Sequence, residues 1–532
     1  MQKLVLLGDE AIAQGAIDAG LSGIYAYPGT PSTEITEYVQ RSKQAKEKNI
    51  KSTWSVNEKT AMEGAIGMSY AGKRAMVCMK HVGLNVAADP FINSAITGAN
   101  GGLIVVSADD PSMHSSQNEQ DSRVLGKFAL IPMLEPVNQQ EAYDMVFYGF
   151  EISEKYGTPV MIRITTRLAH SRAGVVRKEI REQNTVHLPN DHRQYVLLPA
   201  IAKKRYKILL QNQQNFDNES ETSGYNRYIG GKDKSLGIIA GGIAYNYLME
   251  NFPGGNIPYP VLKISQYPLP KKLFEMMKEC KKLLILEEGY PVIEELLTGV
   301  ITNGLVINGR LDGTLPRDGE LNPNIVAKAL KLPDSRGREI PSIVASRPPS
   351  LCVGCPHIDT VLDLKEVLKD YPKDRVFSDI GCYTLSALPP YEMINSCVDM
   401  GASITMAKGA SDAGLTPSIA LIGDSTFTHS GITGLLDAVN DKSPITVFVL
   451  DNSTVAMTGG QKSSATGKIE YICEGIGVEK EHIHVISPLK KHHDENMEII
   501  KSELDYKGVS VIIPRRECIE TTKKRAKDKN KK

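Results

Sequence analysis

Ile419-Ala420-Leu421-Ile422-Gly423-Asp424-Ser425, followed by Ile445-Thr446-Val447-Phe448-Val449-Leu450-Asp451-Asn452, decides the fold. Both apolar runs are too short for a helix and the second is rich in β-branched residues, which predicts strands at 419–422 and 445–450 that are buried on both faces. The stretch between them, 431–440, predicts a helix. Strand, helix, strand is the repeating unit of a parallel sheet. Gly423-Asp424-Ser425 and Asp451-Asn452 therefore both fall at the carboxyl ends of strands, where open α/β sheets bind ligands. A carboxylate and an amide oxygen brought together there are hard ligands suited to magnesium, an ion that also prefers phosphate oxygens. Glycine at 423 lets backbone approach a diphosphate closely. Without that context, Asp424 reads as a helix cap and Asn452 as a turn residue.

The same rhythm extends outward. Residues 345–520 form one α/β domain with a further strand at 509–513. Short apolar runs at 3–7, 23–27, 74–79, 103–107 and 159–164 alternate with helical stretches and predict another at 1–180. Residues 181–234 turn polar, and 211–223 are almost free of apolar side chains, so this segment reads as a linker. A smaller α/β domain follows at 235–335, with strands at 236–240 and 283–286 and Gly241-Gly242 as the turn into a helix. The fold class is α/β in three domains. Residues 521–532 are a basic run that reads as a solvated, frayed tail.

Composition narrows the function. A chain of 532 residues is too long for one core, and 41% hydrophobic with 23% charged residues is a globular profile. Lys plus Arg and Asp plus Glu are 62 each, so no global field recruits nucleic acid or anionic lipid. No run reaches the ~20 apolar residues of a membrane span, and the opening residues are too short for a signal-peptide core, which points to the cytoplasm. Eight cysteines in such a chain are too sparse for a disulfide scaffold, and grouped ones are more often metal ligands or catalytic.

Gly423-Asp424, followed one helix and one strand later by Asn452, resembles the thiamine-diphosphate motif, with Ser425 standing where glycine is more frequent. By that resemblance Asp424 and Asn452 supply side-chain ligands to magnesium, and the main-chain oxygen of Thr454 a third. Such enzymes also need a glutamate, from a different α/β domain, to hydrogen-bond the aminopyrimidine ring. Glu58, in Trp54-Ser55-Val56-Asn57-Glu58-Lys59 ahead of a helix rich in small residues, is the candidate; by itself it is a favourable first-turn carboxylate.

Five stretches make the resemblance specific: Tyr27-Pro28-Gly29-Thr30-Pro31-Ser32-Thr33-Glu34, Ser55-Val56-Asn57-Glu58-Lys59, Met79-Lys80-His81-Val82-Gly83-Leu84-Asn85-Val86-Ala87-Ala88-Asp89-Pro90, Asp109-Asp110-Pro111 through Ser122-Arg123, and Cys352-Val353-Gly354-Cys355-Pro356-His357. With residues 423–460, these are similar to the alpha subunit of indolepyruvate ferredoxin oxidoreductases over nearly the whole chain. The family implies a pyrimidine-binding domain at 1–180, a transketolase C-terminal-like domain at 235–335 and a diphosphate-binding domain at 345–520. It places the loop of Thr30 at the reacting centre. His81, beside Lys80 at a strand end, is a further candidate to bind a carboxylate or relay a proton, and His114 a weaker one.

Cys352 and Cys355 form C-x2-C, Cys382 follows at a strand end, and Cys518 closes the last strand. Related 2-oxoacid:ferredoxin oxidoreductases hold a [4Fe-4S] cluster with cysteines in this order; four thiolates suit zinc equally. Cys78, Cys280, Cys397 and Cys473 show no ligand spacing and read as core or structural residues. The C-x2-C-x2-C-x3-C pattern of the longer family members is absent from this sequence, which puts electron delivery to ferredoxin on the internal cluster or on a partner. The implied function is oxidative decarboxylation of an aryl 2-oxo acid such as indolepyruvate to its acyl-CoA. Thiamine diphosphate, Mg2+ and one cluster are the implied cofactors; coenzyme A, ferredoxin and a smaller gamma-type subunit are the implied partners in a hetero-oligomer. Two alternatives stand beside it: a non-oxidative thiamine-diphosphate decarboxylase or carboligase, and a catalytically silent assembly subunit.

Overall fold

The computed structural model describes residues 3–189, 191–298, 304–333, 340–345, 349–372 and 374–529. They fall into two compact units divided after Glu339. The end of the basic run, 530–532, lies outside the described residues.

In the second unit, six parallel strands are ordered Ser396–Cys397, Val376–Ser378, Ser418–Gly423, Ile445–Leu450, Val509–Pro514 and Ile483–Ile486. Successive side chains of a strand point to opposite faces. Ala420, Ile422, Val447, Val449, Val511 and Ile513 accordingly share one core with Ile404, Leu435 and Ala438. Ile419, Leu421, Phe448, Leu450 and Ile512 share the other with Val361, Leu364 and Leu504. Both faces are covered, which is why every residue of Ser418–Gly423 and Ile445–Leu450 is buried and the runs carry no alternation. The connecting helix Ile432–Asn440 is preceded by a π-helical turn at Phe427–Gly431, an irregularity that often marks functional sites. The basic run is helical rather than frayed: Ile519–Lys529 forms a helix with a largely exposed surface.

The first unit contains, among the described residues, two large sheets and a two-stranded ribbon. Seven strands run in the order Gln266–Tyr267, Met133–Leu134, Val160–Thr165, Leu103–Asp109, Ala75–Lys80, Gly23–Ala26 and Lys51–Trp54, all parallel except the first. Five more are ordered Val306–Asn308, Lys282–Leu286, Gly237–Gly241, Val261–Ile264 and Arg227–Ile229, with the last antiparallel. Gln266–Tyr267 thus crosses from the chain of the second sheet to pair with the first. A buried ionic network reinforces that join. Arg163 Nε donates to Asp109 at 2.7 Å, Arg123 Nη2 to Asp121 at 2.6 Å and Arg123 Nη1 to Glu287 at 2.9 Å, while Arg163 also pairs with Glu135. Both arginines are fully buried, and despite burial they hold the Asp121 carboxyl down at about 2.

Two expectations are corrected. Lys3–Leu7 is not part of the parallel sheet but pairs antiparallel with Arg172–Val176 in a separate ribbon. Its Val5 is 69% exposed, which a central strand does not permit. The linker at 181–234 carries a helix of 24 residues, Pro199–Thr222, and the strand Arg227–Ile229. Proline at the first helical position needs no hydrogen-bond partner there. Few of this helix's side chains are buried, Leu209 and Phe216 chief among them, and polar anchors do the rest: Glu219 accepts from Lys155 Nζ, Tyr148 OH and Tyr156 OH. Among the described residues no helix is long and apolar enough to cross a membrane.

Candidate active site

In the second unit Gly423 is level with Leu450 in the parallel register, so Asp424 and Asp451-Asn452 emerge side by side. Asp424 is not a cap; it lies inside the first turn that follows Gly423. Its Oδ1 accepts from Ser425 N at 2.7 Å, whereas Oδ2 is buried without a hydrogen-bond partner. Burial, and after it the Asp451 carboxylate, push the Asp424 carboxyl up to about 7. An acceptor desolvated and left unbonded beside a second carboxylate fits a bound cation, which would supply the missing partner and countercharge. A Cβ on Gly423 would stand 2.7 Å from the Tyr383 ring, so only glycine fits there.

Asn452 is held from both ends of its amide. Oδ1 accepts from Thr454 N at 3.1 Å across Ser453, whose φ of 62° is left-handed, and Nδ2 donates to His357 Nε2 at 3.2 Å. Burial lowers His357 to about 4, so at neutral pH its uncharged ring accepts that proton. Asn452 is therefore a turn residue and an oriented amide at once. Thr454 is buried at the start of a two-residue strand.

Sequence reasoning passed over His357, Asp379 and Tyr383. Asp379 is buried, accepts from Tyr383 OH and from Ser403 Oγ at 2.5 Å, and is pushed up to about 7 by burial against those bonds. It anchors the strand-end loop carrying Cys382. A carboxylate directly after a strand, three residues before a cysteine, was the available signal.

The same unit collects the four cysteines. Burial pushes the Cys382 thiol up to about 12, followed by Cys355, Cys518 and Cys352 as neighbouring charges, and Cys355 up to about 11, with Cys352 and Cys518 adding to the rise. Thiols from three distant stretches of chain thus interact. No three of these sulfurs lie within 4.8 Å of one another. Four such thiolates could hold a four-iron cluster or a zinc ion. The quartet also touches the strand-end site directly: Cys518 N donates to Asn452 O at 3.2 Å, Arg516 N to Asp451 O at 3.0 Å, and His357 follows Cys355 by two residues. Of the other cysteines, Cys78, Cys280 and Cys473 are buried as core residues, whereas Cys397 is exposed and its Sγ lies 3.7 Å from Asp379 O.

In the first unit Thr30, Glu58 and His81 follow three adjacent parallel strands, Gly23–Ala26, Lys51–Trp54 and Ala75–Lys80, at their carboxyl ends. Glu58 opens the helix Glu58–Tyr70, which Asn57 caps by accepting from Thr60 N at 2.9 Å. It is buried and lies against Gly83, where a Cβ would come within 2.5 Å of Glu58 Oε1. Lys80 packs on Gly29, next to the half-buried Thr30, and donates from Nζ to Ser115 O at 2.6 Å. Burial lowers Lys80 to about 8. His81 is buried; its Nε2 meets Asn118 O at 3.3 Å and its Nδ1 has no hydrogen-bond partner. It lines a cavity of about 180 Å3 with Asn85, Gln120, Ser122 and Tyr290. His114 stands apart, half-exposed, 3.4 Å from Glu320.

Curated relatives match the chain almost end to end. Indolepyruvate oxidoreductase subunit IorA of Archaeoglobus fulgidus is 39% identical over 97% of this chain and 86% of its own length. The chain belongs to the indolepyruvate oxidoreductase subunit IorA family. Subunits of that name from Pyrococcus horikoshii and Methanothermobacter thermautotrophicus are each 38% identical over 97% of the chain, which covers 86% and 87% of theirs. Within this IorA-family chain, residues 14–226 match the family described as pyruvate flavodoxin/ferredoxin oxidoreductase, thiamine diP-bdg. Residues 379–513 match the thiamine pyrophosphate enzyme, C-terminal TPP binding domain. The fold resembles that of a 2-oxoglutarate:ferredoxin oxidoreductase from Magnetococcus marinus, solved with 2-oxoglutarate, coenzyme A and succinyl-CoA bound, at a TM-score of 0.51 and 17% identity, covering 62% of this chain and 65% of that one. The protein is a thiamine-diphosphate-dependent oxidoreductase subunit of the 2-oxoacid class.

Proposed function

We propose that the chain catalyses oxidative decarboxylation of aryl 2-oxo acids such as indolepyruvate to their acyl-CoA, passing electrons through a [4Fe-4S] cluster to ferredoxin. The observation that carries this reading is the adjacency of the cysteine quartet to the Asp424–Asn452 pair through Cys518 N and Asn452 O. A non-oxidative enzyme has no use for four interacting thiols at that place.

In this reading residues 1–180 are the pyrimidine-binding domain, 235–335 the transketolase C-terminal-like domain and 345–520 the diphosphate-binding domain. Asp424, Asn452 and the Thr454 main-chain oxygen hold Mg2+, and Gly423 and Ser425 border the diphosphate. Thiamine diphosphate, when bound, supplies the electron sink for breaking a bond next to a carbonyl carbon. Glu58 holds a proton at its carboxylate for exchange with the aminopyrimidine. Thr30, Lys80 and His81 meet the 2-oxo acid, with the Lys80 ammonium as the partner for its carboxylate. Cys352, Cys355, Cys382 and Cys518 would hold the cluster, which would supply a one-electron acceptor when bound, and coenzyme A would take the acyl group. A smaller gamma-type subunit completes a cytoplasmic hetero-oligomer; eight unpaired cysteines accord with a reducing compartment.

The test is anaerobic preparation with the partner subunit, iron and sulfide analysis, and turnover of indolepyruvate with coenzyme A and a low-potential acceptor. The expected outcome is about four irons per chain, acyl-CoA formed in step with acceptor reduction, and loss of iron in Cys355→Ala but not in Cys473→Ala. Iron-free protein releasing carbon dioxide with no acceptor reduced would favour the non-oxidative decarboxylase. Protein that neither retains thiamine diphosphate nor turns over would favour the silent subunit.

A further inference from the structure

Three helices of the first unit bring Asp9, Glu34 and His170 together, with Glu34 at the end of the stretch that carries Thr30. Asp9 is in the first turn of Gly8–Asp18, Glu34 in the first turn of Thr33–Arg41, and His170 is the last residue of Thr166–His170. One carboxylate oxygen from each acid and one imidazole nitrogen all lie within 4.8 Å of one another. Glu34 Oε2 and His170 Nε2 are 3.7 Å apart, too far for a hydrogen bond and too near to be unrelated.

The second observation is Asp9 itself. It is 0% exposed, and neither of its carboxylate oxygens has a hydrogen-bond partner; Glu34 Oε2 is likewise buried and unbonded. Such a carboxylate, desolvated and next to a second one, demands either a proton or a cation. Of the groups that face it, Glu34 and then Glu10 add negative charge, the Cys78 thiol is itself pushed up by burial and then by Asp9, and the one base nearby, His170, is pushed up by its pairing with Glu34 rather than by Asp9. Arg41 and Asp110 act on Glu34 and His170 respectively, not on Asp9.

We propose that Asp9, Glu34 and His170 form a binding site for one divalent transition-metal ion, separate from the magnesium–diphosphate site. Two carboxylate oxygens and an imidazole nitrogen match the ligand preferences of Mn2+ and Zn2+, whereas Mg2+ favours an all-oxygen shell. Two negative charges and one neutral ring balance a 2+ ion. His170, 36% exposed at its side chain, leaves a way in and room for water to complete the shell. The ion ties the first turn of Thr33–Arg41 to two other helices and so steadies the preceding Thr30 loop, whose Gly29 packs on Lys80.

Mn2+ alone is the probe, because a borderline-hard ion avoids the cysteine quartet. Electron paramagnetic resonance titration of the full chain, without thiamine diphosphate, counts bound Mn2+ in wild type, Asp9→Asn, His170→Gln and Asp424→Ala. The wild type is expected to bind one Mn2+ per chain that survives Asp424→Ala, disappears in Asp9→Asn and weakens about 10- to 100-fold in His170→Gln. Circular dichroism checks the fold, and should Asp9→Asn not fold, the His170 variant decides, since that side chain is at the surface. Wild type whose Mn2+ is all lost in Asp424→Ala, or a His170→Gln protein with unchanged affinity, would overturn the proposal and leave Asp9 as a buried carboxylic acid.

Discussion

Gly83→Ala separates the position of Glu58 from the stability of the fold. An alanine Cβ there would stand 2.5 Å from Glu58 Oε1, 2.6 Å from Cγ and 2.8 Å from Cδ. Comfortable contact begins near ~3.5 Å, so the carboxylate end must retreat by about 1 Å. These atoms are the far end of a flexible side chain, so the retreat costs the fold little. Gly83 lies in the helix His81–Val86, where alanine gains about 0.5–1 kcal/mol over glycine. Function bears the loss: a 1 Å misplacement of a positioned group costs about 10²-fold in rate. We expect Gly83→Ala to unfold in urea at or slightly above the wild-type midpoint, to bind thiamine diphosphate within a few-fold of wild type, and to turn over indolepyruvate about 100-fold more slowly. Gly67→Ala, on the helix that Glu58 opens and with nothing within 4 Å of the added Cβ, is the control and keeps full turnover. A folded Gly83→Ala enzyme with wild-type turnover would remove Glu58 from the chemistry.

Glu58→Gln keeps cofactor affinity but lowers turnover by about 10²- to 10⁴-fold, because an amide cannot share a proton as a carboxylic acid does; near-normal decarboxylation would refute that role. Arg163→Met leaves Asp109, Asp121 and Glu135 buried without their shared partner and should destabilise the first unit by about 3–5 kcal/mol in urea melts, where a loss under about 1 kcal/mol would contradict the network's importance. Asp424 and Asp379 are both pushed up to about 7 from 3.8, first by burial, so between those values the folded state holds protons that the unfolded chain has released. Stability of the cofactor-free protein therefore falls as pH rises from about 4 to 7, by up to roughly 1.4 kcal/mol per unit and group, and Asp424→Asn makes the slope shallower in melts taken across that range.

What the sequence made legible follows from burial. Ser418–Gly423 and Ile445–Leu450 are covered on both faces, so their apolar runs are unbroken and the strand-end positions of Asp424 and Asn452 are legible in the sequence. Lys3–Leu7 misled because a ribbon can show the same short apolar run without a helix layer over it. Pro199–Thr222 was hidden for the opposite reason: its hold on the fold is Glu219 and two buried large apolar side chains, so no apolar stripe announces it. The convergence of Cys352, Cys355, Cys382 and Cys518 came from family resemblance rather than spacing, because the C-x2-C pair alone says nothing of where Cys382 and Cys518 lie. His357 stood in plain view within Cys355-Pro356-His357, yet its bond to Asn452 depends on packing that no local pattern encodes. Asp9, Glu34 and His170 meet only through the fold of three helices, and although Glu34 ends the Tyr27–Glu34 stretch, no local pattern links it to the other two.

Calorimetric titration of thiamine diphosphate with and without Mg2+, on wild type, Asp424→Ala and Asn452→Ala, tests the central claim most directly. The site as built from Asp424 Oδ2 and the oriented Asn452 amide gives binding that requires Mg2+ in the wild type and is lost in both variants while their folds persist. Binding of unchanged affinity in both variants, or binding indifferent to Mg2+, would contradict it.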